Sequence, residues 1–480
     1  MIGFPVQQSM VRSLLAVLLL PGMLSGPAQA AGSATFEELV PAIVDAHFGS
    51  VRPDRLETLS FSERVVVHAA WQSRRPDPPW DRSRGERTYA IDFEPRRFAE
   101  KARIREAGGY DFHYQAVLDG ELGFLASFID GYQRALEPGA EWSSRTADVF
   151  RRTPSWIVRE LAVAEHADVE SDDARGSVIR FESSVGPVVL GFDDTLRLRH
   201  TRWQDGDATS EFQFDDYRWS SGIATPRKTT LYWRGERVND IRIANVVVNE
   251  PIEDLLLPAE ELPLLDMPDA TGARDFGTRE LADGIWLIGE GVNYQLFVEY
   301  DDHVVALGSV GGVGKRLEAL RELIDDKPVR YAMVTHHHSD HLEGVRALVD
   351  AGATLLVAPA HASVVSDAAG DGRNVQLELV RGRKTLGHGS RSMQIIEIGP
   401  NIHAEQMLVA YLPAEKILWS ADMFVQPPER PLRTAIKPIR DLAEAIEAHG
   451  LDVERLVDPH SPRINTIADL WESVAKSEAA

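Results

Sequence analysis

Apolar positions along the chain follow two rhythms, and the change between them falls near residue 270. Phe36, Leu39, Val40, Ile43 and Val44 recur at spacings of one, three and four, which predicts an amphipathic helix over 36–48. Further on the repeat shortens to two. Glu211-Phe212-Gln213-Phe214 and Ile241-Arg242-Ile243 alternate, with Gly, Asp and Pro punctuating such runs, the pattern of antiparallel strands with one wet face. Residues 31–250 are therefore predicted to form a mostly antiparallel β domain. Pro251, Pro258, Pro263 and Pro268 then interrupt 251–272, which can continue neither a helix nor a central strand and reads as a linker.

Beyond the linker, apolar runs and helical periods alternate. Ile285–Ile288, Gln295–Tyr300, Val304–Leu307 and Val329–Val334 read as strands, and Leu317, Leu320 and Ile324 mark a helical face. From His341, the positions Leu342, Val345, Leu348 and Val349 form one further helix ended by Gly352, and Thr354–Ala358 resumes the sheet. An α/β domain over 273–480 follows from this alternation.

Composition sharpens the picture in three places. A chain of 480 residues with 44% hydrophobic and 26% charged side chains is globular and long enough for two domains. Its 74 acidic against 51 basic side chains give a formal charge of -23, which disfavours a nucleic-acid partner. There is no cysteine, so disulfides and thiolate chemistry are excluded and any metal site must be built from histidine and carboxylate.

At the N-terminus, Arg12 precedes the apolar run Leu14–Leu20, and Ala28-Gln29-Ala30 offers a small-x-small cleavage pattern. This predicts a signal peptide over 1–30, removal after Ala30, and a periplasmic or secreted protein. Pro21 and Gly22 make the run too short to span a bilayer, and no later stretch of 18 apolar residues predicts a membrane span.

Seven of the ten tryptophans (71, 80, 142, 156, 203, 219 and 233) fall before the linker, where aromatic residues fill twisted sheets. The stretches "FQFDDYRWSSGIATPRKTTLYW" and "NVVVNEPIEDLLLP" resemble the last hairpins of the curved-sheet fold of periplasmic lipoprotein carriers. His68, His113, His166 and His200 are isolated there, and no catalytic constellation is visible in this region.

Chemistry concentrates in "VTHHHSDHLEG", residues 334–344, between a strand and a helix. His336 and His338, two apart in a loop, can project to one side and hold one metal. Asp340 and His341, where the chain enters its helix, can turn to a second position. Zinc takes nitrogen and oxygen donors in near-tetrahedral array and keeps a position open when catalytic, so two ligands per ion are too few. His403, Asp422 and His460, each just beyond or at the end of an apolar strand, are the candidates for the remainder. His361, His388 and His449 are less well placed, and His337 has no assigned role.

This set resembles the metallo-β-lactamase superfamily. THHHSDH matches its His-x-His-x-Asp-His motif, and "HAEQMLVAYLPAEKILWSADMF" is similar to its third histidine, strand pair and bridging aspartate, over about residues 275–475. The resemblance implies an αββα sandwich with His336, His338 and His403 on a first zinc, Asp340, His341 and His460 on a second, and Asp422 bridging. The chain departs from the family pattern at Ala421 and Ser461, where glycines are usual, and at Glu343-Gly344, where a glycine pair is common. None of these departures removes a ligand.

Two zinc ions sharing Asp422 would lie roughly 3.5 to 4 Å apart and hold a bridging water acidic enough to give hydroxide near neutrality. With Asp340 orienting that nucleophile or relaying its proton, the implied reaction is hydrolysis of an ester, lactone, thioester or amide in a small molecule. Asp422 and the missing cysteine both set the chain apart from zinc β-lactamases, and His338 stands where oxygen-reducing diiron members usually have glutamate. Iron or manganese are the alternative metals. The competing functions are an iron-dependent oxidoreductase on the same scaffold and a non-catalytic periplasmic protein binding an apolar ligand.

Overall fold

The computed structural model describes residues 35–479 apart from 121, 173–175, 207, 266–274, 325–326 and 388. The signal peptide expected over 1–30, His388 and the end of the proline-rich stretch lie outside the described residues. The chain forms two compact units: one holds the described residues to His68 with Arg84–Ile104 and Phe112–Leu265, the other holds Ala69–Ser83, Arg105–Asp111 and the described residues after Leu265.

The first unit is a fourteen-stranded sheet that is antiparallel apart from the short edge pairing of Leu264–Leu265 with Tyr132–Ala135. Thr58–His68 lies mid-sheet against Glu236–Val248. Successive hairpins run outward on both sides, to Tyr132–Ala135 and to Asp168–Asp172. Alternation decides which face is dry: Phe212 and Phe214 are 1% and 7% exposed, while Glu211 and Gln213 between them are more open. Two helices, Phe36–His47 and Pro154–Leu161, supply Phe36, Ile43, Trp156, Ile157 and Leu161 to the same core as strand residues from both halves of the sheet.

The first helix starts at Thr35, whose hydroxyl accepts from the Glu38 amide while Glu38 accepts from the Thr35 amide. Trp156 packs edge-on to Phe93 and Phe150, and Trp203 stacks on Phe212, as expected of sheet-filling aromatics. The described part of the proline-rich stretch is fixed on the sheet. Ile252 and Leu256 join Ala90, Ala99 and Val117 in a small core, and Gln133 Nε2 donates to the Leu262 carbonyl at 2.8 Å. Prolines hold this segment to a single 3-10 turn, Glu253–Leu255, and a two-residue edge strand, but do not deny it packing.

The second unit is a four-layer α/β sandwich. Its seven-stranded sheet runs from Gly277–Ala282 to Leu377–Leu379 in chain order, turning from antiparallel to parallel at Val304–Leu307. A six-stranded sheet runs from Arg383–Leu386 to Ser461–Thr466, again in chain order. Leu296, Val298, Val305 and Leu307 meet Ile395, Ala410, Leu412 and Trp419 in the core between the sheets.

The residues between those inward positions face outward. Phe297, Val304 and Ala306 pack under the helices Val313–Leu323, Val345–Asp350 and Ala362–Ala369, and Ile396, Val409 and Leu418 under Lys437–Ala448 and Ile467–Ala479. Both faces of these strands are buried, which is why they read as continuous apolar runs.

The helix expected from His341 onward is two short ones, Ser339–Leu342 and Val345–Asp350. The Gly344 amide donates to the Ser309 carbonyl at 2.7 Å, and a Cβ there would lie 2.3 Å from Val313. That close approach breaks the helix and ties the histidine loop to the neighbouring strand end. Among the described residues, no helix is long and apolar enough to cross a membrane.

Candidate metal centre

Each sequence-predicted ligand sits where a strand stops. Val329–Met333 ends just before Thr335, and His336, His338, Asp340 and His341 follow in the loop and its first helical turn. His403 follows Met393–Glu397, Asp422 lies in the turn after Ile417–Trp419, and His460 follows Arg455–Asp458. Hydrogen bonds fix these turns. The Asn401 carboxamide oxygen accepts from the amides of His403 and Ala404, and the Asp458 carboxylate accepts from the His460 amide. Ala421 adopts φ +50°, the left-handed region that favours glycine, so the Asp422 carboxylate is set by a tense turn.

The structure brings all seven residues together as two donor groups with one common member. His336, His338, His403 and Asp422 form one, and Asp340, His341, Asp422 and His460 the other, with the donor atoms in each group within 4.8 Å of one another. Asp422 Oδ2 stands 3.2 Å from His403 Nε2, and Oδ1 stands 2.9 Å from His341 Nε2 and 3.2 Å from His460 Nε2. Asp340 Oδ2 lies 3.3 Å from His460 Nε2 and 3.5 Å from His341 Nε2.

Surrounding groups choose the donor atom on four of the five rings. The Thr335 hydroxyl lies 3.0 Å from His336 Nδ1 and 3.2 Å from His341 Nδ1 and can accept from both, leaving each Nε2 as the free lone pair. His460 Nδ1 donates to the Val292 carbonyl at 2.8 Å, with the same result. His338 is reversed: its Nε2 donates to the Ser73 carbonyl at 3.0 Å, and its buried Nδ1 has no hydrogen-bond partner among the described residues.

These donors fit a pair of metal ions. His336 Nε2 and His403 Nε2 face each other at 3.1 Å, a contact between two nitrogens that a shared cation resolves. The residues are nitrogen and oxygen donors only, the set zinc and similar ions take.

Charge distribution separates the two groups. Burial, then neighbouring imidazoles, hold His336 and His338 well below the usual histidine range, so both stay neutral and available as ligands. Burial also works against a charge on His341 and His460, but the carboxylates of Asp422 and Asp340 outweigh it and raise both. Burial opposes ionisation of Asp340 and Asp422 as well, yet the imidazoles of His341 and His460 hold both carboxyls below the carboxylate range. Among the ligands, the Asp340 side chain is the most exposed at 27%, against 0% for His336 and 7% for Asp422. Solvent therefore reaches the cluster on the Asp340 side.

Several neighbours carried no signal in the histidine motif. Gln72 Nε2 donates to Asp340 Oδ1 at 2.9 Å, and the Tyr110 hydroxyl donates to the Asp422 carbonyl at 2.7 Å with its ring edge-on to His403. Both lie in 69–83 and 105–111, which belong to the C-terminal unit although the chain reaches them between strands of the first sheet. Trp71 and Trp80 fall in the same segments. A connection running over 69–81 between two paired strands is far longer than the usual hairpin loop, and that length was the available clue.

The remaining histidines lie elsewhere. His337 stacks on His361 with ring centroids 4.7 Å apart, and burial pushes it down to about 3. His361 Nε2 donates to the Gln406 carbonyl at 2.7 Å. His449 follows the helix Lys437–Ala448 and its ring meets Arg383, away from the cluster. In the first unit, His68 pairs with Asp240 and the His113 ring lies tilted against Phe128.

Comparison with known proteins agrees with this domain. The family model of the metallo-beta-lactamase superfamily matches residues 288–458, which take in every candidate ligand but His460. This part of the chain is a metallo-beta-lactamase superfamily domain, the mixed α/β region that follows a large antiparallel sheet.

Among solved structures, the chain is similar to a metallo-beta-lactamase from Pontibacter korlensis at 16% identity, covering 43% of this chain and 100% of that one with a TM-score of 0.34. It is also similar to a metallo-beta-lactamase from Pseudomonas aeruginosa in its mono-zinc form, at 18% identity, 42% and 95% coverage and a TM-score of 0.33. A flavodiiron core from Synechocystis gives 12% identity, 43% and 60% coverage and a TM-score of 0.36. No curated protein matches the chain.

Proposed function

We propose that this protein is a binuclear zinc metallohydrolase that cleaves an ester, lactone, thioester or amide bond in a small molecule. The observation that carries the reading is the pair of donor groups meeting at Asp422. His336, His338 and His403 would hold the first ion, Asp340, His341 and His460 the second, and Asp422 both. When bound, such ions polarise a carbonyl and bring the pKa of water towards neutrality.

The chain's own groups do the rest. Asp340 keeps its carboxylate ionised, is the cluster's most accessible ligand, and so is the group placed to orient water and take its proton. The hydroxyl of Tyr110 is committed to the backbone carbonyl of Asp422, so it steadies the turn that carries Asp422 and does not serve as an acid. Thr335, Val292 and Ser73 each hold one ring nitrogen of His336, His341, His460 and His338, and so set the tautomer of these four imidazoles. We read the Arg12–Ala30 pattern as an export signal, which places this activity in the periplasm or outside the cell.

The test is a panel of esters, lactones, thioesters and amides offered to zinc-loaded protein, its Asp422→Ala variant and its His338→Ala variant. Turnover of one class by the wild type, falling at least about a hundredfold in both variants, is expected. Turnover that survives in both variants, or ligand binding without turnover, contradicts the assignment.

A further inference from the structure

The segment 69–83 is bound to the ligand loops through consecutive residues. The Ser339 amide donates to the Trp71 carbonyl at 3.1 Å, Gln72 Nε2 donates to Asp340 Oδ1 at 2.9 Å, and His338 Nε2 donates to the Ser73 carbonyl at 3.0 Å. Arg74 Nε donates to the Asn401 carbonyl at 3.1 Å, its own carbonyl accepts from the Glu405 amide at 2.9 Å, and Arg75 pairs with Glu405 at 3.2 Å. Residues 71–75 thus join the loop that carries His338 and Asp340 to the loop that carries His403.

The segment is itself closed. Asp81 accepts from the Arg74 amide at 2.8 Å, and the Asp81 amide donates to the Ser73 hydroxyl at 2.6 Å. Gln72 therefore projects from a braced turn.

Its contact has a chemical consequence. Asp340 is the most exposed ligand, and a carboxylate there is otherwise free to rotate and offer either oxygen or both. With Oδ1 engaged by the Gln72 amide, Oδ2 is the oxygen turned to His341 and His460, at 3.5 and 3.3 Å.

We propose that Gln72 is a positioning residue for the second metal ion, holding Asp340 as a one-oxygen ligand. The inference rests on the binuclear reading above. Groups that orient ligands in this way typically change metal affinity by about 10 to 100-fold when removed. The effect belongs to one ion only, because none of the first ion's ligands, His336, His338, His403 or Asp422, is hydrogen-bonded to the Gln72 side chain.

The test is zinc binding to the metal-free full chain, followed by competition with a chromophoric chelator, for the wild type, Gln72→Met and Arg75→Ala. Met has similar length and no donor, so the turn stays packed while the bond to Asp340 is lost. Arg75→Ala loosens the same segment without touching a ligand. The expected result is two ions in the wild type and, in Gln72→Met, a second ion about 10 to 100-fold weaker with the first unchanged. Arg75→Ala is expected to match the wild type.

Three outcomes overturn the proposal: unchanged affinity in Gln72→Met, equal weakening of both ions, or an equal loss in Arg75→Ala, which would trace the effect to packing. Fewer than two ions in the wild type would overturn the binuclear reading itself, and the proposal with it.

Discussion

At the scale of single residues, hydrogen-bond partners decide what a side chain does. His338 and His336 are two apart in sequence, yet the Ser73 carbonyl leaves Nδ1 free on one and the Thr335 hydroxyl leaves Nε2 free on the other. The histidines themselves were legible, because seven donors at strand ends follow one ordered motif. Their donor atoms were not, since Ser73 and Val292 act through backbone carbonyls, which no side-chain pattern records.

His47 shows the same logic outside the site. Its Nδ1 donates to the Ile43 carbonyl at 2.8 Å and its Nε2 accepts from the Leu198 amide at 3.0 Å, so the ring is satisfied only when neutral. Burial, the largest cause, pushes it down to about 4 from an ordinary 6.5. The unfolded chain therefore binds this proton first. The associated stability is fully present above pH 6.5 and is lost as pH falls towards 4, about 3 kcal/mol in all. Denaturant unfolding of wild type and His47→Gln between pH 7 and pH 4 should show the wild type's advantage shrinking as pH falls; a constant difference contradicts the neutral, buried ring.

At the scale of elements, legibility followed burial. Strands covered on both faces, such as Asn293–Glu299 and Val304–Leu307, announced themselves as apolar runs. The helix after His341 was drawn too long because Gly344 turns its amide to Ser309, a contact between residues 35 positions apart that periodicity does not record. The segments 69–83 and 105–111 escaped notice for the same reason. Gln72 and Asp340 are 268 positions apart.

The second of these segments is held tightly. Gly109 has φ +81°, and a Cβ there would lie 2.9 Å from two carbons of Ile402 and 3.2 Å from Pro438. Gly109→Ala should therefore lower stability by about 1 to 3 kcal/mol through strain and overlap next to His403. The thermal unfolding midpoint of the zinc-loaded protein would report it, and an unchanged midpoint would mean the turn does not sit against Ile402.

At the scale of the whole molecule, the chain builds two cores of different kinds. The first gathers one helix-filled face of a long antiparallel sheet, and its alternating strands gave the β-rich class away. The second stacks two sheets between helices, and the resemblance carried by the histidine motif implied that arrangement. What sequence left unread was the contribution of 69–83 and 105–111 to the second unit, because the contacts that recruit them join residues hundreds of positions apart.

On the binuclear reading, this second unit gathers seven side chains for two metal ions sharing Asp422. That reading is tested most directly by elemental analysis of the purified full chain beside its Asp422→Ala variant. Two zinc ions per chain in the wild type, with loss of at least one in the variant, is the predicted result. A wild type that takes up fewer than two ions when zinc is supplied, or a variant that keeps both ions, would contradict it.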